Sequence, residues 1–126
     1  MKQALHFKEF GQLEYENRIL TVRITEGTEI TEKTLELIFS EASKLAGNLT
    51  FCILADVRNL ATAGSAARKY SANNSYSKQH LAYATLTDKI SVILLANFFI
   101  KVNRPSVPSK LFKEEKGAMH WLQGFL

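Results

Sequence analysis

The chain has few of the residues that staple or punctuate a fold: its 126 residues include one cysteine, two prolines and six glycines. A lone Cys52 excludes an internal disulfide and a cysteine-rich metal site. Its place in the apolar run FCILA (51–55) predicts a buried, inert thiol. Six scattered glycines supply no phosphate-cradling loop. The histidines, His6, His80 and His120, stand far apart and lack the paired spacing of a metal centre. No metal and no cofactor are therefore expected. Long hydrophobic runs are missing too. The longest, residues 92–96 with 98–100 just beyond, falls far short of a bilayer span. No charged start followed by an apolar stretch and a small-residue cleavage site opens the chain, so the expected location is the cytoplasm.

Acidic residues are scarce in one region. Residues 1–56 hold six Lys/Arg against nine Asp/Glu, whereas residues 57–113 hold nine Lys/Arg against Asp88 alone. Such asymmetry steers acidic partners, phosphates or anionic lipid wherever the basic residues share a face. Charges solvated around the whole surface are the plainer expectation. A pI near 9.3 does not by itself make a nucleic-acid interface, which needs cations interleaved with exposed aromatics; no nucleic-acid partner is expected.

What is present describes an ordinary globular chain. With 46% hydrophobic and 22% charged residues and no repeat or linker, residues 1–126 read as one domain. Residues 5–10 and 19–24 alternate as strands, with Leu13 and Tyr15 adding a short strand between them. Leu35, Ile38, Phe39, Ala42, Leu45 and Ala46 recur at helical spacing, with Thr31 as N-cap and Gly47 as terminator. Residues 51–55 form a continuous apolar run, the pattern of a strand covered on both faces. A helix over 65–74, a strand over 81–86 and a helix over 87–102 follow. Pro105 and Pro108 end that helix, and an edge strand at 110–112 and a closing helix at 114–122 complete the chain. In the helix over 87–102, Ile90, Ile93, Leu94, Asn97 and Lys101 stack along one side. Strands first, then helix and strand in alternation, make an α/β fold.

Three stretches together carry a resemblance: LADVRN at 54–59, LLANFFIKVNRPSVPSKLF at 94–112, and the ending in which Ala118 and Trp121-Leu122 follow Glu114-Glu115. Over nearly its whole length the chain resembles the SpoIIAA-like branch of the STAS superfamily, small α/β domains related to bacterial anti-sigma-factor antagonists. The resemblance implies a mixed sheet of four to five strands flanked by about four helices, and no catalytic activity. In true antagonists an Asp-led loop after the inner strand carries a phosphorylatable serine at the start of the next helix. Here Asp56 begins that loop and Ser65 falls near the serine position, but Ala63-Gly64-Ser65-Ala66 replaces the family's Asp-Ser-Ser-Gly.

Two functional readings follow. In the first the domain is a non-enzymatic regulatory module that docks another protein, or a second copy of itself, through residues 56–68. Asp56, Arg58, Ser65 and Arg68 would carry the contact. Ser65 either caps its helix or bears a phosphate held by the helix N-terminus and by Arg58 and Arg68. In the second the helix over 88–102 packs loosely on the sheet and leaves a pocket for an apolar, lipid-like ligand, with Lys101 or Arg104 at an anionic head group. An amphipathic membrane contact around residues 98–104 is a related reading, against which the aromatics would simply fill the core. Asp56, Ser65 and His80 are the residue types of a hydrolytic triad, but no Gly-x-Ser-x-Gly elbow accompanies them.

Overall fold

A computed structural model of the protein describes residues 2–60, 62–74 and 78–126. The chain opens as an antiparallel meander of β1 (Gln3–Phe7), β2 (Gly11–Glu16) and β3 (Ile19–Ile24), with Leu5 opposite Leu13 and Leu13 opposite Val22. Asn17 and Arg18 join β2 to β3 with φ of 53° and 64°. Two positive φ values in a two-residue loop match the right-handed twist of the strands, as a type I′ turn does. Gly11 has φ 140°, and a Cβ there would run into the Arg23 carbonyl oxygen, so the close approach of β2 to β3 requires glycine.

After a short β4 (Glu29–Ile30), the helix α1 (Glu32–Ala46) begins where Thr31 Oγ1 accepts a hydrogen bond from Thr34 N at 3.2 Å. It buries Ile38, Ala42 and Ala46 and ends at Gly47, whose φ is 60°. Next come β5 (Phe51–Asp56), β6 (Thr62–Ala63), α2 (Ser65–Asn74) and β7 (His80–Leu86). The helix α3 (Ile90–Phe98) runs into a π-helical turn (Phe99–Asn103), which Arg104 closes in the left-handed region. β8 (Ser109–Phe112) and α4 (Glu115–Gln123) complete the fold.

The main sheet has six strands in the order β1-β2-β3-β5-β7-β8, and β4 and β6 pair separately. The expectation of four to five strands is therefore corrected. Residues 11–16 form a full strand that bonds both neighbours, and β8 pairs in parallel along the outer side of β7. All six residues of β5 are buried, as its unbroken apolar run predicts. Side-chain alternation divides them between two layers. Phe51 and Ile53 join Leu20, Val22 and Ile24 beneath α1, α2 and α3. Cys52 and Leu54 join Ala82, Ala84 and Leu86 against Ala118 and Leu122 of α4. Two fully buried alanines in β7 let α4 lie close to the sheet.

The third helix departs from expectation. It begins at Ile90 rather than Thr87, because Thr87 is buried at the end of β7 and its hydroxyl accepts from Lys89 N at 3.2 Å. Of the two aromatics there, Phe99 is buried and Phe98 is not.

Candidate functional site

The loop after β5 starts from a charge cluster. Arg23 and Asp56 are partners in the parallel register of β3 and β5, both near the C-terminal ends of their strands. Arg23 Nη1 donates to Asp56 Oδ2 at 2.9 Å and to Glu115 Oε1 at 2.9 Å, Arg23 Nη2 donates to Glu115 Oε2 at 3.1 Å, and Arg23 Nε reaches Glu14 at 2.6 Å. Arg58 closes the loop onto the same carboxylate, with Nε donating to Asp56 Oδ1 at 2.9 Å and Nη2 to Oδ2 at 2.7 Å. The Lys2 ammonium adds a 2.8 Å contact to Glu14.

Bonding sets the protonation states here. The Arg23 hydrogen bond holds the Glu115 and Glu14 carboxyls below the usual range. Burial would raise Asp56, but its bonds to Arg58 and Arg23 outweigh that and hold it low. Chiefly through Glu115, the Arg23 guanidinium is pinned in its charged form. Three cations meet three anions, so the cluster ties the loop and the start of α4 to the sheet and leaves no surplus charge.

The four predicted docking residues do not converge. Asp56 and Arg58 join this cluster on the α4 side, where Asp56 is buried. Ser65 is exposed at the first turn of α2. The first helical bond there runs from Arg68 N to Gly64 O at 3.0 Å, so Gly64 occupies the capping position and Ser65 is the first residue inside the helix. Arg68 points to the opposite side of the sheet. Its Nη1 donates to Ala63 O at 2.6 Å, and its guanidinium lies 5.0 Å from the centre of the Phe98 ring.

Arg68 stands at the wall of a cavity of about 110 Å³ between the sheet and α1, α2 and α3. Ile24, Ile38, Ile53, Leu95 and Phe99 are among its apolar walls, and the β4–β6 pair contributes Ile30 and Ala63. Ser71, Tyr83 and Thr85 are its other polar residues, and burial pushes the Tyr83 phenol up to about 12. The Nε of Arg68 is buried and has no hydrogen-bond partner. Engineered apolar cavities of similar size, about 150 Å³, stay dry and take up benzene. Lys101 and Arg104 are exposed and do not line the cavity, so the cation placed at this pocket is Arg68.

The hydrolytic constellation does not assemble. His80 pairs with Phe51 at the far end of β5, five residues before Asp56, which at the usual rise is roughly 16 Å away. Its Nε2 donates to Ala82 O at 3.0 Å, its ring stacks on Phe51, and burial depresses it to about 4, so it stays neutral. Among the described residues no group of three His, Cys, Asp or Glu side chains is arranged to hold a metal ion. Sequence reasoning missed Arg23, Glu14 and Glu115, because only strand register and the docking of α4 bring residues 14, 23, 56 and 115 together. An arginine within an otherwise buried strand was the one available signal.

A family model described as a domain of unknown function, DUF7793, matches residues 13–126. The chain belongs to the DUF7793 family. This DUF7793 domain is similar in structure to an uncharacterised protein of the DUF3478 family with a SpoIIAA-like fold, from Shewanella loihica PV-4. The TM-score is 0.56 at 11% identity, covering 97% of this chain and 92% of the other. That likeness bears out the SpoIIAA-like resemblance at the level of fold. A protein of unknown function from Arthrobacter sp. FB24 is 25% identical over 85% of this chain and 93% of its own, with a TM-score of 0.31. No curated protein matches the DUF7793 chain.

Proposed function

We propose that the domain is a non-catalytic binding module, working in the cytoplasm, that holds a small anionic amphiphile. The apolar tail enters the cavity beneath α1, α2 and α3, and the head group meets Arg68. One observation carries the reading: a guanidinium at the wall of a largely apolar cavity has a buried donor with no acceptor. An unsatisfied buried donor costs about 1–3 kcal/mol, which an incoming carboxylate or phosphate oxygen recovers. Arg68 takes the head-group role first assigned to Lys101 and Arg104, because those two lie outside the cavity.

Native mass spectrometry of freshly purified protein and titration with octanoate test the reading. Saturable octanoate binding is expected, weakened roughly tenfold or more in Arg68→Gln, since a charge-assisted bond of about 1.5 kcal/mol or more is removed. Wild-type protein that takes up no octanoate, or a folded Arg68→Gln that binds it equally well, refutes the proposal.

A second reading rests on Ser65. Its hydroxyl is exposed at the first turn of α2, where free N–H groups and the helix dipole favour an added phosphate. A partner docking at residues 56–68 would sense that charge. Incubation with cell extract and ATP, followed by phosphopeptide mapping, decides the matter. A chain that emerges without phosphate on Ser65 dismisses the switch.

A further inference from the structure

The outer side of α3 and its π-helical continuation is apolar and faces water. Ile90, Leu94, Phe98 and Val102 recur every fourth residue and are 75%, 65%, 46% and 58% exposed, while Val92, Ala96 and Phe99 are buried on the other side. At the helical rise the row is roughly 18 Å long. Single exposed apolar side chains are ordinary, but four large ones in a continuous row mark a contact surface. The other exposed large hydrophobics among the described residues, Leu5, Leu49, Phe125 and Leu126, lie on β1, in the loop after α1 and at the C-terminus.

Charge selects the occupant. Lys101 is exposed within the row, three residues after Phe98; Lys89 precedes the row and Arg104 follows it, both exposed. Asp88 is the only acid between residues 57 and 113. We propose that this face rests on an anionic membrane surface. Ile90, Leu94, Phe98 and Val102 enter the boundary between head groups and acyl chains, and Lys89, Lys101 and Arg104 reach lipid phosphates. Long cationic stems suit this arrangement, since they lie along apolar surface while their heads stay in the polar layer. A second copy fits less well. A two-fold contact sets the face against itself and brings Lys89, Lys101 and Arg104 toward their own copies, with Asp88 the only acid in that stretch of the chain. The contact is peripheral, because no described helix is long and apolar enough to cross a membrane.

The inference does not depend on an occupied cavity, and the Ile90/Leu94 pair separates the two, because neither residue lines the cavity. Co-sedimentation is measured with vesicles of phosphatidylcholine, alone or mixed with phosphatidylglycerol. The wild-type chain should bind the mixed vesicles more tightly than the neutral ones and lose binding at high salt. Ile90→Asn combined with Leu94→Asn should reduce partition roughly tenfold or more at unchanged thermal stability, since both sites are already solvated. Lys101→Glu should weaken binding to the mixed vesicles only, and Leu49→Asn should bind as wild type. The Ile90/Leu94 double variant should lose vesicles and keep octanoate, since neither residue lines the cavity. Wild-type protein that ignores the mixed vesicles, or a double variant that still binds them, overturns the proposal. So does light scattering that finds a dimer in the wild type and a monomer in the double variant, for the face would then join two copies.

Discussion

Arg23 and Asp56 face each other across β3 and β5, joined at 2.9 Å, and Glu115 at the start of α4 closes on the same guanidinium. Two strands and a helix distant in sequence are held at one point. Removing Asp56 leaves Arg23 and Arg58 with Glu115 as their one shared carboxylate, 3.8 Å from Arg58 Nη2. Asp56→Ala should therefore cost roughly 2–3 kcal/mol in denaturant unfolding, below the fully buried case because Arg23 keeps some solvent contact. Glu115→Ala, at a more exposed carboxylate, should cost about 1 kcal/mol or less. Equal costs would mean that α4, not Asp56, is the anchor.

Stability should fall on acidification in two stages. The unfolded His80 imidazole takes up a proton near pH 6.5, whereas the folded one resists until about 4. Its contribution is complete above the unfolded value and is lost between pH 6.5 and 4, about 3 kcal/mol in all. Glu14, Asp56 and Glu115 are held low in the folded state, so their contribution is lost as pH drops through the carboxylate range and below. Urea midpoints against pH should show the earlier decline disappear in His80→Gln while the later one persists.

Gly11 should resist substitution. With φ at 140° and the Arg23 carbonyl where a Cβ would sit, Gly11→Ala needs β2 to move off β3, at a cost of more than about 2 kcal/mol. A variant that melts like wild type would show that the hairpin tolerates the shift.

Cys52 should be chemically silent. Burial raises its thiol to about 11, and the side chain is fully enclosed between β5 and α4. A thiol-reactive disulfide reagent should label it only as fast as the protein opens, with full reaction in denaturant. Rapid labelling of the native protein would contradict the packing of α4 over this strand.

Much of the architecture was legible in local patterns. Thr31, the apolar spacing of residues 35–46 and Gly47 specify α1 because cap, face and terminator all act within the helix itself. The unbroken FCILA run marks β5 as interior, since only a strand covered on both sides lacks polar alternation. Short-range signals were weaker where partners decide the outcome. Leu13 and Tyr15 suggested a minor strand, but hydrogen bonds to both β1 and β3 make residues 11–16 a full one. The docking set at 56–68 read as one surface because it is continuous in sequence. Side-chain alternation at the end of β5 sends Asp56 to the α4 side, while α2 returns Arg68 to the other.

Composition and periodicity alone settled that these residues make strands and helices in α/β order, because burial patterns and caps are local consequences of side-chain chemistry. Tertiary packing alone decided which side of α3 meets water. A helix apolar on nearly every side has no strongly preferred inner face until the sheet takes Val92, Ala96 and Phe99. Packing likewise decided that Arg23 would meet three carboxylates and that Arg68 would stand at a cavity wall, since both depend on residues brought together from separate parts of the chain.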